Sequence, residues 1–158
     1  MTNAWRAGAT PVSIPSERAG ATWADFGTGR PSWTTHTEQR LGPGICYLAT
    51  VRPDGFPRVH PMGVQFRGDG AYLSLLPSLP KGHDLRRTGH FALHCTVEDS
   101  TGGDGTVILR GLDQTAPRSS RNTQRGWISL ELLVEEFTST RYDPDRQAPV
   151  TRRWQWRP

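Results

Sequence analysis

The stretch SLPKGHDLRR, Ser78 to Arg87, holds Lys81, the only lysine among the 19 lysines and arginines of this 158-residue chain. An ammonium is a compact, strongly hydrated point charge and a guanidinium a planar fork, so the two are not interchangeable where an anion must be met. His83, His90, His94 and Cys95 follow closely, and imidazole and thiolate suit zinc or iron. Their spacing argues against a metal site. On a strand His90 and His94 share a face but stand about 13 Å apart, too far for one ion with Zn–N bonds of about 2 Å. Cys46 and Cys95 form no CxxC pair and read as small buried hydrophobes. No GxSxG elbow supports a serine hydrolase. His60 and Tyr47 remain as candidate hydrogen-bond donors, although a lone strand histidine is more often structural than catalytic.

The elements that must position these residues are mostly strands. Residues 1–20 mix Gly, Pro, Ser and Thr without periodicity and read as a flexible N-terminal arm, leaving 21–158 as one domain. Pro31, Trp33, Leu41 and Gly42 mark one short helix within 24–41. Residues 45–52 alternate as a strand, and Asp54-Gly55 is a hairpin turn into FPRVHPMGVQF. Pro57 and Pro61 cannot donate to a ladder, so this second strand is expected to be bulged or at an edge. AYLSLL is a third strand, and Lys81 to Arg87 gives about two helical turns. HFALHCTV and TVILRG are strands around the glycine-rich turn STGGDG. DQTAPRSSRNTQRG, from Asp113 to Gly126, reads as a loop. WISLELLVEEFTSTRY fits either period and is assigned to strand on its Thr and Tyr content. TRRWQWRP closes the chain as a final strand. Serial antiparallel hairpins with a short helix inserted imply a small barrel, because closure removes exposed edges.

Net charge is +4 and the isoelectric point about 9.7. A polyanionic partner would explain such a balance, but acidic residues at Glu98-Asp99, Glu131, Glu135-Glu136 and Asp143-Asp145 interrupt the arginines, so nucleic acid is not the expected partner. A phosphate-bearing small molecule needs only a few cations. No apolar run approaches the roughly 20 residues of a membrane span, and the first residues lack a signal-peptide core, so the expected location is cytoplasmic.

From YLATVRPDGFPRVHPMGVQF through SLPKGHDLRRTGHFALHC, the order LAT, DG, PRV, Lys followed by Asp-Leu-Arg-Arg, then ALH resembles the pyridoxamine 5′-phosphate oxidase-related, FMN-binding split-barrel family over residues 22–112. The resemblance implies a mainly β, antiparallel split barrel with a few short helices. It also implies a homodimer with FMN at the subunit interface. On it, Lys81 binds the FMN phosphate at a helix start, aided by helix amides. Arg58 and Val59 contact the phosphate and ring edge, and His60 and Pro61 continue that wall. Ser74 and Leu75 lie along the ribityl chain, and Trp156 and Arg157 reach the other subunit's cofactor. Relatives carry Ser two positions before the lysine; this chain has Leu79 there, and Ser78 is the neighbouring hydroxyl. The implied activity is a flavin-dependent oxidoreductase on a small molecule, with F420 as a variant cofactor and His60 a candidate catalytic donor. Two readings stand beside it: a haem-binding split barrel with His60 as axial ligand, and a non-enzymatic module using Arg118, Arg121 and Arg125 for an anionic partner.

Overall fold

The computed structural model describes residues 20–97, 105–115 and 126–157. Among them are three helices and eight strands, which form one antiparallel sheet. Where one helix is expected over 24–41, the chain builds two, α1 (Trp23–Gly27) and α2 (Pro31–Leu41). Thr22 caps α1 in a capping box with Asp25, Gly29 takes φ +72° between the helices, and Pro31 opens α2. A left-handed residue cannot continue a helix, and Pro is suited to a first turn, so the sequence breaks here.

The strands are β1 (Cys46–Val51), β2 (Pro57–Met62), β3 (Gln65–Arg67), β4 (Gly70–Leu75), β5 (His90–His94), β6 (Thr106–Thr115), β7 (Ile128–Asp143) and β8 (Ala148–Gln155), with α3 (Pro80–Thr88) between β4 and β5. Their order is β2-β1-β5-β6-β7-β4-β3, and β8 pairs with the far half of β7. The expected second strand is thus two, interrupted at Gly63 and Val64. β2 and β3 lie at opposite ends of the path, yet Met62 and Gln65 are only three residues apart and no more than roughly 11 Å can separate them. The sheet must therefore curl until its ends meet, giving a half-barrel whose β2–β3 seam carries no ladder. β2, with Pro57 and Pro61, is an end strand, as the missing amide donors require.

Two other boundaries differ from the sequence expectation. Asp113, Gln114 and Thr115 continue β6 opposite Leu132, Glu131 and Leu130, because a ladder partner satisfies backbone groups whatever the side-chain polarity. β8 begins at Ala148 and ends at Gln155, set by its pairing from Asp143↔Ala148 to Glu136↔Gln155. The stretch expected over 127–142 is strand from Ile128 on, as β7, which pairs with β4, β6 and β8. The arm at 1–19 and the arginines Arg118, Arg121 and Arg125 lie outside the described residues.

The core fills the concave side with Leu48, Leu73, Leu93, Leu109, Leu132 and Phe137, all essentially without exposure. α1 and α2 cover one end through an aromatic cluster in which Phe26 meets Trp23, Phe137 and Trp154 at 5.1–5.2 Å between centroids. β6 bends at a bulge between Arg110 and Gly111, where a Cβ on Gly111 would stand 1.8 Å from the Leu133 carbonyl oxygen. Gly111→Ala is therefore expected to destabilise the fold by about 1–3 kcal/mol, the usual range for overpacking; chemical denaturation checks this, and an unchanged midpoint contradicts the close approach.

Candidate functional site

A cavity of about 570 Å³ opens at the seam, where the end of β2, the Gly63-Val64 link, the end of β4 and the start of α3 converge. Pro61, Ser74, Leu75 and Lys81 line it together with Ile45 and Trp127. Four of the residues expected from sequence are thus brought to one place. Lys81 stands in the first turn of α3, whose N-cap, Leu79, is extended and offers no side-chain cap. A helix start with uncapped amides carries partial positive charge, to which the ammonium adds. That turn is pressed against the loop before it: a Cβ on Gly82 would lie 2.8 Å from the Pro77 carbonyl oxygen and 3.0 Å from that of Leu76.

Lys81 has no ion-pair partner among the described residues, and burial holds its pKa below the ordinary 10.5. Arg58 differs. Its Nε donates to Asp84 Oδ2 at 2.8 Å, and Thr50 Oγ1 donates to the same oxygen at 2.9 Å. Asp84 is 2% exposed, so its charge is compensated within the fold by Arg58, as a buried carboxylate must be. Lys81 is left as the uncompensated cation of the cavity wall. The Ser74 hydroxyl is buried with no hydrogen-bond partner among the described residues, a group that desolvation makes costly unless something bonds to it.

No family model and no curated protein matches the chain. Solved structures do. A protein assigned as a pyridoxamine 5′-phosphate oxidase from Listeria innocua aligns with TM-score 0.57 at 17% identity, over 68% of this chain and 94% of that one. An F420 reductase gives 0.51 at 19% identity, over 63% and 94%. A heme-binding protein from Mycobacterium smegmatis gives 0.60 at 12% identity, over 76% of this chain and 55% of that one. The fold is the pyridoxamine 5′-phosphate oxidase-like split barrel.

The remaining expected residues do not line this split barrel's cavity. Register puts Arg58, His60 and Met62 on the inner face of β2 with Thr50, Leu48 and Cys46 of β1, and Val59 and Pro61 on the outer face with Ala49 and Tyr47. Val59 is 60% exposed. Ser78 is exposed, and its carbonyl oxygen lies 3.1 Å from His83 Nε2. Trp156 packs against the core of its own chain and donates its backbone N–H to the Glu135 carbonyl at 2.7 Å, while Arg157 is exposed beyond β8. Cys46 and Cys95 are buried, and burial pushes the Cys46 thiol up to about 11, which leaves it inert as a nucleophile. Sequence reasoning missed Asp84, Thr50, Ile45 and Trp127. Asp84 sits inside the quoted motif, three residues past Lys81, but its pairing with Arg58 bridges 26 residues and leaves no local signal.

His60 is half-buried, and its Nε2 has no hydrogen-bond partner among the described residues. Burial, then the charges of Lys81 and Arg58, hold its pKa below 6.5, with Asp84 opposing. The folded split barrel keeps His60 neutral where the unfolded chain would take up a proton, so the stability this contributes is present above 6.5 and lost as pH falls below it. His60→Asn is expected to make the fall in Tm between about pH 7 and about pH 5 shallower, and an acid limb identical to the parent's contradicts this.

Proposed function

We propose that the chain is a cytoplasmic, flavin-dependent oxidoreductase acting on a small molecule, with FMN or the deazaflavin F420 held by its phosphate at Lys81 and the first turn of α3. The observation that carries the reading is the uncompensated ammonium of Lys81 at an uncapped helix start, in a cavity whose wall also offers a buried, unpartnered Ser74 hydroxyl. Phosphate is the group such a helix start suits. In this reading Ser74 bonds to a hydroxyl of the cofactor's sugar-alcohol chain, and Ile45, Pro61 and Trp127 wall the ring from water. A bound flavin or deazaflavin supplies hydride transfer, and the protein orients and screens it. The F420 reductase among the similar structures supports the deazaflavin form of the proposal. Haem is the weaker reading, because its axial candidate His60 does not line the cavity.

The same reading makes the site a product of two copies. Tyr47 and Val59 are 45% and 60% exposed on the outer side of β1 and β2, Ile45 just before β1 is 54% exposed, and Ile45 and Pro61 carry that apolar surface into the cavity. Apolar surface of this kind beside a cofactor site suits a self-complementary, two-fold interface.

The test is titration of the purified protein with FMN and with F420, read by absorption and fluorescence. Lys81→Ala is expected to weaken binding about 10- to 100-fold, the effect of one lost charge-assisted contact, with unchanged circular dichroism. Equal binding by Lys81→Ala and the parent would falsify the phosphate assignment. Sedimentation of the same loaded samples is expected to give a dimer, and a monomer that retains cofactor removes the second copy from the site.

A further inference from the structure

A second pocket, of about 290 Å³, lies between α2 and the β7–β8 hairpin and shares no lining residue with the seam cavity. We propose that it is a binding site for a small aromatic organic anion, whose acid group is met by Arg141, Arg152 and His36 and whose flat ring lies against Trp33.

The hairpin register places the two arginines on one face. Arg152 stands opposite Ser139, and Arg141 is two residues beyond Ser139 on the same strand, opposite Val150. α2 supplies the facing wall: Trp33 and His36 are three residues apart and so share a side of the helix. Two guanidinium groups on one face repel, and neither has an ion-pair partner among the described residues. The one carboxylate in the lining, Asp143, is already engaged in its own turn. Its Oδ1 accepts from the backbone N–H of Asp145 at 3.0 Å and of Arg146 at 3.2 Å, and its Oδ2 lies 3.5 Å from Arg146 Nε. Arg40 is turned away to donate to the Thr96 carbonyl at 2.7 Å. The lining thus carries two guanidinium groups with no ion-pair partner among the described residues, against one carboxylate that is held by its own turn.

His36 adds a second, independent observation. Its Nε2 is buried with no hydrogen-bond partner among the described residues. Burial holds its pKa below 6.5, and the charges of Arg141, Arg40 and Arg152 act in the same direction. An anion there offsets the mutual repulsion of the cations and gives Nε2 a hydrogen-bond partner. A guanidinium meets a carboxylate or a phosphate through parallel N–H donors, so either acid group satisfies the same residues. The apolar part of the ligand follows from the remaining wall. Trp33 stacks on Phe137 with centroids 5.1 Å apart and an interplanar angle of 22°, and it is only half-buried, leaving ring surface for a second flat group. The volume accommodates one ring and its acid group rather than a dinucleotide or a flavin.

Calorimetric titration of the full chain with benzoate, phenyl phosphate and inorganic phosphate tests this. Arg141 and Arg152 are exposed strand residues, so their alanine variants are expected to fold, and Lys81→Ala serves as the control for the seam cavity. The expected result is that benzoate or phenyl phosphate binds the parent and Lys81→Ala alike, and binds Arg141→Ala and Arg152→Ala at least about tenfold more weakly. Inorganic phosphate is expected to bind more weakly than phenyl phosphate. Binding that disappears in Lys81→Ala and survives in both arginine variants overturns the proposal. So does an absence of heat with every probe up to tens of millimolar, which would leave Arg141 and Arg152 as solvated surface charges. Equal affinity for inorganic and phenyl phosphate overturns the role given to Trp33.

Discussion

Gly63 and Val64 join two strands that belong to opposite ends of the same sheet, and everything about the site follows from the shortness of that link. With β2 and β3 held within a few residues of each other, the sheet cannot stay open and flat; it curls, and its concave side becomes the core. Among the described residues the seam has no backbone ladder across it, and its wall is made of side chains and of the first turn of α3. A cavity at that place is a consequence of the topology. The bulge at Arg110 and Gly111 serves the same curvature from the other side, bending β6 around the core.

Within the seam, the distribution of charge separates paired from unpaired cations. Asp84 is buried and takes Arg58 and Thr50 as partners, which fixes α3 against β1 and β2. Arg87 strengthens the same junction by donating to the Val51 and Arg52 carbonyls at 2.5 and 2.7 Å. With these contacts made, Lys81 is the remaining cation of the wall and has no ion-pair partner among the described residues. A flexible ammonium suits that position, whereas Arg58 and Arg87 use directed guanidinium donors to carboxylate and carbonyl oxygens.

Much of the strand content was legible because the apolar alternation, the Asp54-Gly55 turn and the prolines of β2 are local signals that the fold did not override. Lys81, Ser74, Leu75 and Pro61 were legible as a group only through the ordered motif around them, since nothing local relates β2 to β4 and α3. The break at Gly63-Val64 was not legible: Val64 and Phe66 continue the pattern of the preceding strand, and the break exists because the ladder partner changes from β1 to β4. The polar run at Asp113 to Thr115 misled for a similar reason, its backbone being held by β7 whatever its side chains prefer. Pairings such as Arg58 with Asp84, and the facing of His36 by Arg141 and Arg152, arise from three-dimensional closure and have no counterpart in sequence spacing.

On the proposed function, the cofactor sits in the seam of the split barrel. Hydrogen–deuterium exchange of the full chain, with and without saturating FMN and again with F420, tests it most directly. The account predicts that one of the two slows exchange in peptides covering residues 61–65 and 74–82, while the β7–β8 hairpin from 139 to 152 is unchanged. Protection confined to that hairpin, or no protection with either cofactor, would contradict it.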